Sequence, residues 1–207
     1  GCYNLKNVSF AKNSVIKVLY VGTFQGCTGL EAIELPASLT MIPNRGEGDD
    51  LFGDDYKGLF WGCYSLKRVT FEEGSKLTKI GNYAFSETAL ESIVIPSSVE
   101  SIGECAFEST KLTSLTIPAT VTSLGTQAFY YCENLLSVTL GSGIKTLPTG
   151  VFGNCSALTA FTVPATVTSI ASDAFSGCDS IDGFKVDSAS LSFRERDGVV
   201  YDLDWNI

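Results

Sequence analysis

Apolar residues recur in one phase along most of the 207-residue chain. Seven phenylalanines mark this phase, with spacings of 36, 25, 22, 22, 23 and 23 residues: Phe24, Phe60, Phe85, Phe107, Phe129, Phe152 and Phe175. A second apolar row keeps the same phase: Leu5, Leu30, Leu66, Leu90, Leu112, Leu135, Leu158 and Ile181. A fixed period of about 20–29 residues is typical of a solenoid, in which each turn stacks only on its neighbours.

Each repeat predicts two short strands and a tight turn. In "LESIVIP", "LTSLTIP" and "LTAFTVP" the last two apolar residues flank one outward residue, which is the period of a strand. Proline closes this strand because it cannot donate to a ladder, and it stands at Pro36, Pro96, Pro118 and Pro164. A second alternating piece follows ("VTSLG"), and then "AF" in four repeats, which favours a brief helical or 3₁₀ turn. One unit cannot bury its apolar face alone, so about seven units stack with their first strands in a parallel sheet.

The combined pattern L-x-x-I-x-I-P-x-x-V-x-x-I-G-x-x-A-F-x-x-C-x-x-L resembles the BspA-type, or Treponema-type, leucine-rich repeat, from Gly1 to about Ile181. The final segment contains "DGVVY", which is similar to the "DGVLY" hairpin of such arrays. The resemblance implies a leucine-rich repeat solenoid: a curved right-handed coil with a parallel β-sheet on the concave face, short strands and short helical or 3₁₀ turns elsewhere, and a C-terminal β-hairpin. We expect the repeat array over residues 1–181, with an insertion at 43–58, and a cap or hairpin over 182–207.

Composition and charge exclude several classes of function. The net charge is −9 and no stretch of Lys or Arg is dense enough to follow a phosphate backbone, so nucleic acid is not expected as a partner. The same charge disfavours anionic lipid, and no apolar run approaches the ~18 residues that span a bilayer. Histidine is absent, which removes the commonest general base and the commonest metal ligand.

No catalytic constellation is visible. Ser-His-Asp chemistry needs a histidine, and "GSGIKTLPTG" is a turn between two strands rather than a phosphate cradle. Asp202 and Asp204 lie in the terminal segment, and no other feature marks a pair of carboxylates for glycoside hydrolysis. We therefore expect a protein that is not an enzyme and that uses no cofactor.

Six of the seven cysteines stand three residues after the repeat phenylalanine or its equivalent: Cys2, Cys27, Cys63, Cys132, Cys155 and Cys178. Cys105 falls elsewhere, and threonine takes the same slot at Thr88 and Thr110. Residues that share a phase stack about 4.8 Å apart, which a disulfide tolerates, so Cys132–Cys155 or Cys155–Cys178 are geometrically possible pairs. The favoured interpretation is an inward row of reduced thiols. Disulfides are the alternative, and zinc is disfavoured because there is no C-x-x-C and no histidine.

The outward residue of each predicted first strand forms a row of mostly small or hydroxyl side chains: Ser9, Glu34, Thr70, Val94, Thr116, Thr139, Thr162 and Lys185. A second outward row lies two residues earlier and includes Arg68, Ser92 and Ser114. Threonine suits any exposed strand, but solenoid sheets also serve as docking faces. Candidate ligand-binding residues on this face are Arg68, Thr70, Thr116, Thr139 and Thr162.

Aromatic residues gather at the turn after the phenylalanine, at Trp61, Tyr64, Tyr130 and Tyr131. Exposed Trp and Tyr are common interface anchors, so these four are further candidates for ligand binding, with packing on the neighbouring turn as the alternative.

The insertion at 43–58 reads "PNRGEGDDLFGDDYKG" and contains five carboxylates against Arg45 and Lys57. A solvated loop, a loop that contacts a partner and a Ca²⁺ site all remain open for it.

The resemblance implies a secreted or cell-surface bacterial protein, attached to the envelope, that binds extracellular or host protein or microbial surfaces through its repeats. We expect a monomer. The alternatives are a structural spacer within a larger surface protein and a glycan-binding module. The ligand and the mode of anchoring do not follow from these residues.

Overall fold

First and second strands of successive repeats build a parallel-strand β-solenoid of about seven turns. The computed structural model describes residues 1–44 and 57–203. The first strands are β1 (Asn7–Val8), β2 (Ala32–Leu35), β4 (Arg68–Phe71), β7 (Ser114–Ile117), β9 (Ser137–Leu140), β11 (Phe161–Val163) and β13 (Phe184–Val186). The second strands are β3 (Met41–Ile42), β5 (Lys79–Ile80), β6 (Ser101–Ile102), β8 (Ser123–Leu124), β10 (Thr146–Leu147) and β12 (Ser169–Ile170).

Strands of successive turns pair in register. Glu34 of β2 stands opposite Thr70 of β4, and Thr116 of β7 stands opposite Thr139 of β9, both in parallel ladders. The predicted phase is therefore confirmed: outward residues lie beside outward residues from turn to turn. The first strands β2, β7 and β11 end directly before a proline, as expected from its missing N–H.

The seven repeat phenylalanines form one stack of rings through the core. Ring centroids of neighbouring turns are 5.2 to 5.6 Å apart, and the ring planes are close to parallel. The five rings from Phe60 to Phe152 have no exposed surface, whereas Phe24 and Phe175, at the two ends of the stack, are less fully covered. Leucines of the second apolar row are buried beside them from Leu30 to Leu158.

The segment around each phenylalanine is not helical, which corrects the expected helical or 3₁₀ turns: the described residues contain neither kind of helix. Alternate N–H groups of this segment donate to the next turn, and those between them donate to a carbonyl three residues earlier in their own turn, as Ala84 does to Gly81 at 3.3 Å. The N–H of Phe85 donates to the carbonyl of Ala106, and that of Phe107 to Ala128, both at 2.8 Å. With those donors used between turns, the ladder of an α-helix cannot form.

A residue in the left-handed conformation, two positions after the phenylalanine, also prevents a helix from forming there. All seven turns have a positive φ there, between 54° and 69° at six of them and 75° at the last: Gly26, Gly62, Glu87, Ser109, Tyr131, Asn154 and Gly177. A left-handed residue ends a helix. Glycine and asparagine hold this conformation at little cost, whereas a non-glycine residue such as Tyr131 is strained in it.

The C-terminal segment closes the array with a β-hairpin, which confirms the prediction. Strands β14 (Phe193–Arg196) and β15 (Val199–Asp202) pair antiparallel around a tight turn at Asp197 and Gly198. The hairpin contacts β13, because the N–H of Phe184 donates to the Gly198 carbonyl at 2.9 Å. The insertion at 43–58, for which a solvated loop, a partner contact and a Ca²⁺ site all remain open, has its carboxylates (Glu47 to Asp55) outside the described residues.

Candidate functional site

The outward side chains of the first strands form an exposed surface that extends from turn to turn, called here the first-strand face. The residues at the eight predicted outward positions from Ser9 to Lys185 are all exposed. The face carries two cations and one carboxylate, Arg68, Lys185 and Glu34, although the chain as a whole has a net charge of −9. A partner therefore meets a nearly neutral, hydroxyl-rich surface here and not the acidic average of the molecule.

The pairing of first strands is interrupted at two places, between β4 and β7 and between β9 and β11, and a longer turn accompanies the first interruption. Five residues separate Phe71 from Leu77 in the turn after β4, whereas three separate Ile95 from Val99 at the same place one repeat later. Beside the longer turn, the segment Ser92–Ile95 makes only a single bridge, between Ser92 and Arg68, and is not a full strand. The sheet is interrupted between β4 and β7.

A shallow groove of about 880 Å³ occupies this interruption and is called here the strand groove. The outward residues of three successive turns line it: Arg68, Thr70, Ser92, Val94, Ser114 and Thr116. Its polar side consists of Arg68 and of the hydroxyl groups of the threonines and serines in that list. Its apolar side is Val94, which is 85% exposed, with half-buried Phe71 and Ile93 next to it.

Arg68 is the cation of the strand groove, and it is free to bind a ligand. Within the described residues no acidic side chain pairs with its guanidinium. Glu72, the carboxylate that also lines the groove, is already engaged, since its Oε2 accepts the N–H of Ala37 at 2.9 Å. The groove can therefore hold an anion or carbonyl oxygen at Arg68 while an apolar group packs on Val94.

The structure brings three of the five predicted strand residues together in the strand groove: Arg68, Thr70 and Thr116. Thr139 and Thr162 are exposed and continue the same row outside the groove, opposite Thr116 and Lys185. Val94, Ser92 and Ser114 were missed as site residues. The signal that marks them is the 25-residue spacing from Phe60 to Phe85, which contains the longer turn and stands beside spacings of 22.

The first aromatic pair divides between packing and exposure. Trp61 is half-buried, and the Nζ of Lys57 lies 4.7 Å from its ring centroid in a cation–π contact. Tyr64 is 60% exposed, and its hydroxyl donates to Oε2 of Glu87 at 3.1 Å. This hydrogen bond raises the pKa of Tyr64.

The second aromatic pair divides in the same way. Tyr130 is half-buried and packs on Gly153 of the next turn, where a Cβ atom would lie 2.7 Å from the ring. Tyr131 is 45% exposed and stands edge-on to Tyr130, with ring centroids 4.6 Å apart. The turns of Phe85 and Phe107 separate the two aromatic pairs, so they do not form one site. Tyr64 and Tyr131 are the members that a ligand can reach.

The cysteines form an inward row, called here the thiol row, as predicted from their phase. Cys27, Cys63, Cys132 and Cys155 are buried, Cys178 is half-buried and Cys2 is exposed, and all six are free thiols. Four of them hydrogen-bond to the carbonyl of the phenylalanine one turn earlier, over S–O distances of 2.9 to 3.3 Å: Cys63, Cys132, Cys155 and Cys178. Burial raises the pKa of Cys63 to about 12 and that of Cys132 to about 11.

Residues 1–44 and 57–203 contain no group of three or more His, Cys, Asp or Glu side chains arranged to hold a metal ion. Within those same ranges, no helix has the length and apolar character needed to cross a bilayer.

Comparison with known proteins points to one family. The model of the "BspA type Leucine rich repeat region" matches residues 1–46 and 56–187 in six copies. A leucine-rich repeat protein from Bacteroides ovatus is 26% identical with a TM-score of 0.73, over 88% of this chain and 44% of that one. The Treponema pallidum leucine-rich repeat protein is 28% identical with a TM-score of 0.66, over 85% of this chain and 81% of that one. The pneumococcal vaccine antigen PcpA shares the fold at 20% identity and a TM-score of 0.53, over 91% of this chain and 38% of that one. No curated protein matches the chain.

Proposed function

Because the chain belongs to the BspA-type leucine-rich repeat family, we propose that it is a non-enzymatic recognition protein of the cell surface or the secreted fraction, which binds an extracellular or host protein through its first-strand face. The fold supports an interaction module built from repeats. The chain spans 44% of the length of the Bacteroides ovatus relative. A binding partner is therefore part of the proposal and is not inferred from that relative.

The strand groove is the observation that carries the proposal. It combines an unpaired cation, an exposed aliphatic side chain and several hydroxyls within three consecutive turns. Protein interfaces typically centre on a few such anchors, with arginine enriched among them. Thr139 and Thr162 extend the surface with further hydroxyls, so that a partner contacts several repeats at once.

The test is binding to arrays of immobilised extracellular-matrix proteins and glycans. The groove variant is Arg68→Ser/Val94→Ser. The control variant is Lys145→Ser/Val15→Ser, which removes one exposed cation and one valine of matched exposure, 84% against 85%. We expect the groove variant to weaken binding at least about tenfold, and the control variant to bind like the wild type. Equal loss in both variants, or none in the groove variant, contradicts the proposal.

A second arm of the same experiment separates the alternatives. Tyr64→Ala/Tyr131→Ala removes the two exposed aromatic side chains and leaves the strand groove intact. Loss of glycan binding in this variant alone supports the glycan-binding alternative, because aromatic rings are apolar platforms at binding surfaces. Absence of any ligand on both arrays supports the spacer alternative.

A further inference from the structure

The last two members of the thiol row differ from the others in exposure and contact. Cys155 has no exposed surface, whereas Cys178, one turn later, is half-buried. The carbonyl of Phe152 accepts the N–H of Cys155 at 3.2 Å and the thiol of Cys178 at 3.0 Å. The Cys178 sulfur therefore lies directly over the backbone of the Cys155 turn.

The stacking geometry suits a covalent bond between them. Positions of equal phase in adjacent turns are about 4.8 Å apart at their Cα atoms, and disulfides span Cα separations of about 4.4–6.8 Å. From this placement we propose that Cys155 and Cys178 are a disulfide site, which a soluble disulfide oxidant closes before any other pair of the thiol row. This proposal is independent of the proposed binding function.

Access selects this pair over its neighbour. The Cys132 sulfur is fully buried and lies 3.1 Å from the Phe107 carbonyl and 3.2 Å from Oγ1 of Thr110. An oxidant in solution cannot reach it or Cys155 directly. Cys178, which is half-buried, is the more accessible thiol of the pair, and Cys155 occupies the same slot one turn before it.

The other end of the thiol row is arranged differently. Cys2 is exposed and stacks on buried Cys27, but there the backbone N–H of Cys2 faces the Cys27 sulfur, at 3.4 Å. At the other end it is the Cys178 thiol itself that lies over the earlier turn, 3.0 Å from the Phe152 carbonyl. The neighbouring Cys155 thiol lowers the pKa of Cys178, and the neighbouring Cys178 thiol together with burial raises the pKa of Cys155. Cys178, the more accessible of the two, is thus the thiol that ionises first.

The chemistry is two thiol–disulfide exchanges. The Cys178 thiolate attacks one sulfur of the oxidant RSSR, forms the mixed disulfide Cys178–S–S–R and releases RS⁻. Cys155 then loses its proton to solvent and attacks the Cys178 sulfur, which expels the second RS⁻. Two thiols are oxidised, one molecule of RSSR is reduced to two RSH, and the protein loses two hydrogens.

Oxidised glutathione is the probe for the test, applied to the folded wild-type chain at pH 8 and followed by alkylation and peptide mapping. Asp173 is the one Asp between the two cysteines, so cleavage on the N-terminal side of Asp places Cys155 and Cys178 on different peptides. We expect a bond between Cys155 and Cys178, a mass loss of about 2 Da, and a thermal midpoint about 5–10 °C higher than in the reduced protein.

The chain itself supplies matched variants, because threonine fills the same slot at Thr88 and Thr110. Cys178→Thr is expected to fold and to form no bond at Cys155, whereas Cys132→Thr is expected to oxidise like the wild type. Three results overturn the proposal: alkylation of both Cys155 and Cys178 after oxidation, prior formation of Cys132–Cys155, or prior formation of Cys2–Cys27.

Discussion

Truncation of one ring in the phenylalanine stack tests the interior most sharply, and Phe129→Ala is the clearest case. Phe129 has no exposed surface, and its ring lies between Phe107 at 5.3 Å and Phe152 at 5.6 Å. Removal of a buried phenylalanine costs about 3–5 kcal/mol, and the two stacked contacts add to area burial by roughly 0.5–1.5 kcal/mol each. The cavity cannot collapse easily, because inter-turn hydrogen bonds hold both neighbouring turns.

The assay is urea unfolding of Phe129→Ala beside two controls. Thr139→Ala removes an exposed side chain and is expected to change the free energy of unfolding by less than about 0.5–1 kcal/mol. Phe24→Ala removes the ring at the end of the stack, which has one stacked neighbour, and is expected to cost less than Phe129→Ala. Because a solenoid is stabilised turn by turn, the central variant is also expected to unfold less cooperatively. Equal midpoints for all three variants would refute the stacked core.

Two further predictions concern backbone packing and pH. Gly125→Ala places a methyl group against the backbone nitrogen of Glu104 and should cost about 1–3 kcal/mol in thermal melts, through overpacking. Gly74→Ala, which meets no atom within 4 Å but has a φ of 76°, should cost only about 1 kcal/mol, and the reverse order would contradict the assigned turn contacts. Under reducing conditions the stability of the wild type should fall above pH 9, because burial holds Cys132 protonated to a pKa of about 11 in the folded state while the unfolded chain ionises near 9.0. The contribution of Cys132 to the free energy of unfolding is intact below pH 9 and is lost at about 1.4 kcal/mol per pH unit as the pH rises to 11. Cys132→Thr should therefore lose stability less steeply than the wild type over this range. Identical curves of stability against pH for the two proteins would count against a buried thiol.

The sequence predicts the residues of the core well because the same apolar pattern recurs in every turn. Phenylalanine keeps one phase over seven turns, with a leucine row and, in five of those turns, a cysteine beside it, and the structure stacks or buries most of these residues accordingly. The outward rows follow from the same phase, since alternate strand residues point to opposite faces. The hairpin follows from "DGVVY", whose Asp197 and Gly198 both adopt the positive φ that a tight turn needs.

The turns around the phenylalanines are harder to predict because hydrogen bonds to residues distant in sequence determine their conformation. "AF" favours a helix, yet the N–H of the phenylalanine there donates to a carbonyl of the next turn, about two dozen residues away. The left-handed residues give a signal only where they are glycine or asparagine, as at Gly62 and Asn154. Glu87, Ser109 and Tyr131 adopt the same conformation without any such signal.

The candidate site depends on one departure from the repeat. Arg68, Thr70 and Thr116 follow from the outward phase, but the strand groove lies beside the longer turn after β4, at an interruption of the sheet that appears only in three dimensions. The division of the aromatic pairs has a similar origin. Tyr130 is covered because Gly153 of the next turn leaves room for its ring, whereas Tyr131 has no such neighbour and remains accessible.

Turn-by-turn registration underlies both the first-strand face and the disulfide site, and amide hydrogen exchange resolved to single residues measures it directly. The backbone N–H of each phenylalanine from Phe60 to Phe152 donates to the following turn at 2.8 to 3.0 Å. We predict that these five amides exchange slowly, as a group, at intervals of one repeat, while the exposed Tyr3 and Lys12 exchange fast. Fast exchange at the phenylalanine amides, or protection without that interval, would contradict the stacked architecture.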